Sequence, residues 1–124
     1  MLVTVNEVLQ RIDSLKPNAY SRREKLQWLS TLDGLLWREV MAVHEGAGQP
    51  FESYGEGDGQ RQLLVSEPYG LPLYLSYLEN RMDHYNGDTA RYNNSLLQFR
   101  TAYMEFFRWY NRNHRPLGQL RKFW

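Results

Sequence analysis

The chain has 124 residues, the size of one domain, and it contains no cysteine, which excludes a disulfide scaffold, a thiolate metal site and a cysteine nucleophile. No apolar run reaches the ~18 to 20 residues that cross a bilayer, and the first residues lack a signal-peptide pattern, so we expect a soluble protein with no membrane partner. The net charge is +1, but residues 44–88 hold two Lys/Arg against eight Asp/Glu, whereas residues 89–124 hold seven against one. The acidic middle and the basic end could attract each other between copies, or could form two solvated faces.

Two amphipathic helices are predicted in the N-terminal part of the chain. Apolar residues recur there every three or four positions, first over 4–16 and again over 21–44. Each segment begins with a capping box, in which a hydroxyl residue is followed three positions later by a glutamate: Thr4 with Glu7, and Ser21 with Glu24. We therefore expect a first helix over 4–16 and a second from 21 to about 44.

One carboxylate falls within the apolar stripe of the second helix. Asp33 lies, by helical angle, between Leu26 and Val40, where an unpaired charge is costly. Its side chain must therefore find hydrogen-bond donors. Two interpretations are open: a cap or an arginine pair within the monomer, and a structural polar network that fixes the shape of the subunit.

The segment after the second helix is predicted to be irregular. Residues 46–59 hold five of the nine glycines together with Pro50 and acidic side chains, a composition that does not support regular structure. We expect a long, mobile, acidic and Gly-rich loop over 46–62. The apolar run 63–65 supports at most a brief extended segment.

The third and fourth helices are predicted from breakers and from aromatic periodicity. Pro72 suits the first position of the third helix, and Asn86-Gly87 ends it. Asp88 or Thr89 then caps a fourth helix that runs to about Asn113. The third helix should turn four apolar residues inward: Leu75, Leu78, Met82 and Tyr85. The core-facing stripe of the fourth helix should consist of Tyr92, Leu96, Phe99, Tyr103, Phe106, Phe107 and Tyr110.

Apolar residues outside these stripes indicate contacts with other chains. Leu97 and Met104 are one heptad apart and project together from the fourth helix, away from its core stripe, so we expect a second apolar contact there, supplied by another subunit. The fold expected is thus an all-α, four-helix domain over 1–114 with an extended tail over 115–124. The tail combines apolar and basic residues that we expect to dock on a neighbour or partner, the alternative being that it folds back on its own core. These residues are Arg115, Leu117, Leu120, Arg121, Lys122, Phe123 and Trp124.

The sequence offers no convergent set of catalytic or metal-binding residues. Each of the three histidines lacks a second histidine three or four residues away, which a helical metal site requires. Glu79 and Asp83 are four residues apart, but such a pair is far more often surface charge than an acid/base couple. We therefore expect no catalytic activity, no metal and no cofactor. Arginines of the fourth helix point in different directions around it, so specific DNA readout is not expected, whereas contact with a phosphate backbone stays open.

The second half of the chain carries several short pieces that occur together: Glu67-Pro68-Tyr69, Leu73-Tyr74-Leu75-Ser76-Tyr77-Leu78, the run from Met82 to Ser95 with its Tyr-Asn-Gly and Arg-Tyr-Asn-Asn-Ser segments, Phe99, Ala102-Tyr103 and Tyr110-Asn111-Arg112. Together they resemble the head-tail connector, or head-completion adaptor, family of tailed phages and prophages of Gram-positive bacteria. The likeness covers roughly residues 60–120 and extends to the second helix through Trp28-Leu29 and Leu32-Asp33-Gly34.

This resemblance implies a structural protein of the virion neck, assembled in the cytoplasm of the bacterial host. Identical subunits, monomeric in isolation, would form a twelve-membered ring beneath the portal protein, prolong the DNA channel, where non-specific DNA contact is open, and present a platform to the next neck or tail protein. The C-terminal region would engage the portal. The sequence departs from the family pattern at Gly70-Leu71-Pro72 and in the length of the loop 46–62. The alternative is a small helical DNA-binding or regulatory protein of phage origin.

Overall fold

The computed structural model describes residues 2–117, and it is built from four α-helices: α1 (Val5–Leu15), α2 (Arg22–Leu36), α3 (Gly70–Asn86) and α4 (Thr89–Asn113). A π-helical segment, Trp37–Met41, continues α2. Within residues 2–117 there is no β-strand, and extended pairing is limited to two isolated bridges, Thr4 with Gln62 and His44 with Pro116. The prediction of an all-α protein with four helices is confirmed.

Side-chain caps begin three of the helices, as the sequence predicts. In each, a side-chain oxygen accepts a hydrogen bond from the backbone N–H three residues later: Thr4 from Glu7 at 3.2 Å, Ser21 from Glu24 at 3.1 Å, and Asp88 from Arg91 at 3.1 Å. Asp88 rather than Thr89 therefore caps α4. Gly87 separates α3 from α4 with a φ of 71°, a left-handed conformation that glycine adopts without the steric cost of a Cβ atom.

The second and third helices differ from their predicted bounds. α2 ends at Leu36, and the chain then winds more widely, so that the N–H of Ala42 donates to the C=O of Trp37 at 2.7 Å. α3 begins at Gly70, two residues before the predicted start at Pro72. A Cβ atom at Gly70 would lie only 2.4 Å from the backbone oxygen of Val65, so a glycine is required where the helix meets this segment. Pro72 is tolerated because the first four N–H groups of a helix have no intrahelical acceptor.

The hydrophobic core surrounds α3, which contacts each of the other three helices. Leu78 and Met82 are buried as predicted, and Leu75 is half-buried, but Tyr85 is 60% exposed and stacks on Trp28 with ring centroids 5.7 Å apart. The core line of α4 is shifted from the predicted stripe and consists of Ser95, Ala102, Phe106 and Tyr110. The other predicted members are half-buried at its edge: Tyr92, Leu96, Phe99, Tyr103 and Phe107. The small residues Ser95 and Ala102 let α4 approach α3 closely, and the half-buried aromatic rings lie along the edge of this contact.

The loop 46–62 packs against α1 and α2. The N–H of Val5 donates to the C=O of Arg61 at 3.0 Å, and the N–H of Asn6 donates to the C=O of Gly59 at 2.9 Å. Tyr54 is buried, and the guanidinium of Arg61 lies 4.6 Å from the centre of its ring. The mobility predicted for this loop stays a prediction, whereas its observed contacts are those of a packed segment.

Candidate functional site

The first residues of the predicted tail are paired with the chain that follows the π-helical segment. The N–H of Glu45 donates to the C=O of Arg115 at 2.9 Å, and the N–H of Leu117 donates to the C=O of Val43 at 2.8 Å. This pairing is antiparallel and is centred on the bridge between His44 and Pro116. The Arg115 side chain is exposed and that of Leu117 is 46% exposed. The remaining predicted docking residues lie outside the described part of the chain: Leu120, Arg121, Lys122, Phe123 and Trp124.

A buried histidine holds this end of the molecule together. One ring nitrogen of His44 is hydrogen-bonded to the C=O of Val40, and the other lies 2.6 Å from the side-chain oxygen of Asn111 in α4. The His44 ring also makes an edge-to-face contact with Tyr110, and the ring of His114 stacks on Tyr110 with the two ring centroids 3.8 Å apart. The contact between His44 and Asn111 is not visible in the sequence, because these two residues are 67 positions apart.

Two open grooves flank α4. The first, called here the α2–α4 groove, has a volume of about 400 Å³ and an almost wholly apolar lining: Leu32, Leu35, Leu36, Glu39, Tyr77, Phe99, Arg100, Tyr103 and Met104. Burial in its wall raises the pKa of the Tyr103 hydroxyl, and the negative charge of Glu39 raises that pKa further. The second groove lies on the opposite flank and is lined by α1, α3 and α4, including Leu15, Leu75 and Leu97.

The two residues predicted to form a subunit contact are both exposed on α4. Leu97 is 64% exposed and Met104 is 43% exposed. They do not share a groove, since Met104 lines the α2–α4 groove and Leu97 lines the second one. A partner that covers the ridge between the grooves would contact both, and this subunit contact stays a prediction.

Asp33 is fully buried and accepts three hydrogen bonds within the monomer. The hydroxyl of Tyr54 donates to one carboxylate oxygen, which also accepts the N–H of Leu64 at 3.2 Å. The hydroxyl of Tyr74 donates to the other oxygen at 2.7 Å, and it accepts the N–H of Val65 at 2.9 Å. The network joins α2, the loop and α3. Its donors are two phenols and a backbone amide, so of the two interpretations that the sequence left open the arrangement matches the polar network and not the cap or the arginine pair.

The environment of Asp33 changes its acidity. Burial raises the pKa of this carboxyl from 3.8 to about 6, although the hydrogen bonds from Tyr54, Tyr74 and Leu64 and the positive charge of Arg61 act in the opposite direction. The same burial, with the negative charge of Asp33, raises the pKa of both tyrosine hydroxyls. These tyrosines therefore stay protonated and act as hydrogen-bond donors.

A second buried carboxylate corrects one interpretation of the sequence. Asp83 was expected to be a surface charge, but its side chain is 2% exposed. One of its oxygens lies 2.7 Å from Nζ of Lys16, and the other accepts a hydrogen bond from the Ser95 hydroxyl at 2.8 Å. Asn80 donates to the same hydroxyl and to the C=O of Tyr92. This network therefore links α3 to α4 near the turn that joins them. Glu79, half-buried, lies outside it.

The arginines of α4 are exposed but dispersed. Arg100 lies in the α2–α4 groove, whereas Arg91 lies in a polar cleft beside Lys16 and pairs with Asp88 at 3.4 Å. Arg108 and Arg112 are exposed near the end of the helix, next to Arg115 in the chain. The positive charge is concentrated at the C-terminal end of α4 and does not form a continuous stripe along it.

In the described residues, no cluster of three or more His, Cys, Asp or Glu side chains is placed to hold a metal ion. No helix among residues 2–117 is both long and apolar enough to cross a membrane.

Comparisons of the chain with protein-family models, with curated proteins and with solved structures found no match. The exposed surfaces around α4 are its C-terminal end and the two grooves beside it.

Proposed function

We propose that this protein is a non-catalytic head-tail connector of a tailed bacteriophage. Copies of it form a ring beneath the portal protein in the virion neck, prolong the DNA channel and present a platform for the next neck or tail protein. The likeness of residues 60–120 to the connector family supports this function, and the all-α fold is compatible with it.

The observation that carries the proposal is the surface at the C-terminal end of α4. Val43 and Leu117 are 44% and 46% exposed there, and the N–H of Leu117 donates to the C=O of Val43. The basic residues Arg112 and Arg115 are exposed beside them. Grouped apolar side chains with a polar rim are typical of protein-binding surfaces rather than of free monomer surface. The sequence then continues with three further apolar residues, Leu120, Phe123 and Trp124.

The corner between α3 and α4, at the opposite end of α4 from this surface, is held by hydrogen bonds. The motif residues of the resemblance, from Met82 to Ser95, form this corner, in which Asp83 and Ser95 are hydrogen-bonded and Gly87 makes the turn. An adaptor must hold its contact surfaces in a fixed relation, because ring closure depends on the angle between neighbouring subunits. A helical hairpin locked at its corner meets that need.

The docking role is tested by charge insertion into the C-terminal segment. Phe123→Asp with Trp124→Asp should abolish binding of the subunit to isolated portal rings, measured by co-sedimentation, and should leave the circular dichroism spectrum unchanged. The matched control is Leu2→Asp, which changes an exposed leucine at the other end of the chain. Portal binding that survives the double substitution would contradict the proposed role of this segment.

A DNA-binding or regulatory function is the second candidate, and the exposed arginines of α4 favour it. Binding through several phosphates should weaken by orders of magnitude between about 50 and 200 mM salt. Apolar docking on a portal should change little over the same range. Titration of the protein with duplex DNA and with portal rings at both salt concentrations separates the two functions.

A further inference from the structure

We infer that in the free subunit the C-terminal segment 118–124 lies in the α2–α4 groove of its own chain. The proposal concerns an intramolecular contact, so it goes beyond the connector function and holds whichever partner the segment meets during assembly.

At Leu117 the chain runs back toward α2. The antiparallel pairing sets Arg115 beside Glu45 and Leu117 beside Val43. From residue 115 to residue 117 the chain therefore travels back toward the end of α2. Further along that direction lie Glu39, Leu36 and Leu32, which form one wall of the groove. The segment thus leaves the described structure at the groove's end and pointing along it.

The reach of the segment matches the length of the groove. Helical residues rise ~1.5 Å each, so Glu39 lies about 6 Å and Leu32 about 17 Å from Val43 along the helix. The seven residues from 118 to 124 span at most ~25 Å when extended. They can cover the groove to its far end without any rearrangement of the helices.

The chemistry of the segment and of the groove is complementary. The wall exposes apolar and aromatic side chains, among them Leu35, Phe99 and Met104. The segment offers Leu120, Phe123 and Trp124 to cover them, and its basic pair Arg121-Lys122 can meet the carboxylate of Glu39 on the rim. Docking of the segment would remove apolar surface of the groove and of the segment from water at the same time.

The groove of the same chain is a better receptor than that of a second copy. A tethered segment meets its own groove at an effective concentration in the millimolar range, far above the protein concentration in dilute solution. Intramolecular docking is thus favoured wherever the geometry permits it, and the pairing at Leu117 permits it. On assembly the segment would exchange this groove for a surface of its partner.

Disulfide trapping in the full-length chain tests this inference. Because the chain has no cysteine of its own, only the introduced pair can form a disulfide within it. Lys122→Cys keeps every apolar residue of the segment. It is combined with Met104→Cys on one wall of the groove, with Leu35→Cys on the other wall, or with Glu105→Cys as the control. Met104 and Glu105 are adjacent and both exposed, but Glu105 faces the second groove. The two positions are therefore equally distant from the segment along α4.

Both groove pairs should form an intramolecular disulfide about tenfold faster than the control pair, at a rate independent of protein concentration, as tethered docking requires. Non-reducing gels and intact mass measure this directly. Equal rates for Met104→Cys and Glu105→Cys would overturn the inference, and so would a product made only of disulfide-linked dimers. Neither result bears on portal binding, so failure here and failure of the connector function are distinguishable.

Discussion

Asp33 and Asp83 are both buried carboxylates, but they differ in the chemistry of the groups that contact them. Asp33 is surrounded by neutral donors, namely Tyr54, Tyr74 and a backbone N–H, whereas Asp83 is paired with the ammonium group of Lys16. A neutral site leaves the cost of burying charge uncompensated, so the carboxyl of Asp33 retains a raised pKa of about 6. Asp33 therefore holds its proton more tightly than a free carboxyl does, whereas Asp83 lies against a cation and a hydroxyl donor.

The largest effect should follow removal of the cation from Asp83. Lys16→Met leaves a buried charge without its partner, and we expect a loss of about 3–5 kcal/mol in the free energy of unfolding, measured by urea denaturation. The matched control is Lys25→Met. Lys25 contacts Asp13 at the same 2.7 Å, but Asp13 is 53% exposed and regains water, so a loss of about 1 kcal/mol or less is expected. Equal losses in the two variants would refute the contrast.

The pH dependence of stability should report on Asp33. Its pKa in the folded protein is about 6 against an ordinary 3.8, so the folded state holds the proton more tightly. The resulting stabilisation is fully present below about pH 3.8 and is lost as the pH rises through about 6, and its total is on the order of 3 kcal/mol. Asp33→Asn should remove this component, which urea denaturation at several pH values between 4 and 7 would reveal. An unchanged pH profile in the variant would exclude Asp33 as its source.

Removing one donor from Asp33 should have an intermediate effect. Tyr74→Phe deletes the hydroxyl that donates to Asp33 and accepts from Val65, leaving two buried polar groups unpaired. We expect a loss of roughly 1–3 kcal/mol in thermal or urea unfolding. Tyr77→Phe, on the half-buried side of the same helix, should stay within about 0.5 kcal/mol of the parent. Loss of the same size at Tyr77 would mean that the network is not the cause.

The smallest effect on stability is expected at the exposed ridge of α4. Leu97→Ser changes a side chain that is 64% exposed, so the free energy of unfolding should change by no more than about 0.5 kcal/mol. If the ridge is a contact between copies, ring formation should nevertheless be weakened, which analytical ultracentrifugation in the presence of portal rings would detect. Normal assembly of this variant would remove Leu97 from the proposed contact.

Most helix limits could be predicted from sequence because they depend on neighbouring residues. Thr4, Ser21 and Asp88 cap helices by accepting a hydrogen bond from the backbone N–H three residues later. Gly87 ends α3 through its own left-handed backbone conformation. The start of α3 lies two residues before the predicted one, because Gly70 approaches the backbone oxygen of Val65 closely, and this approach within five residues is not visible in the hydrophobic pattern.

The partners of buried polar groups were not predictable because they come from parts of the chain that are far apart in sequence. That Asp33 needs donors follows from its place in an apolar stripe, but which donors it finds depends on how the loop and α3 pack against α2. Asp83 lies four residues after Glu79, a spacing typical of two surface charges, but it is buried and paired with Lys16, which follows the end of α1.

The sequence by itself determined the helical class, the caps and the uneven distribution of charge, since these follow from local spacing and composition. Only the tertiary structure decided which face of α4 is buried, which grooves lie open and where Leu117 points. Those features depend on contacts between residues far apart in the chain, and the close approach of helices at small residues is set by packing rather than by local periodicity.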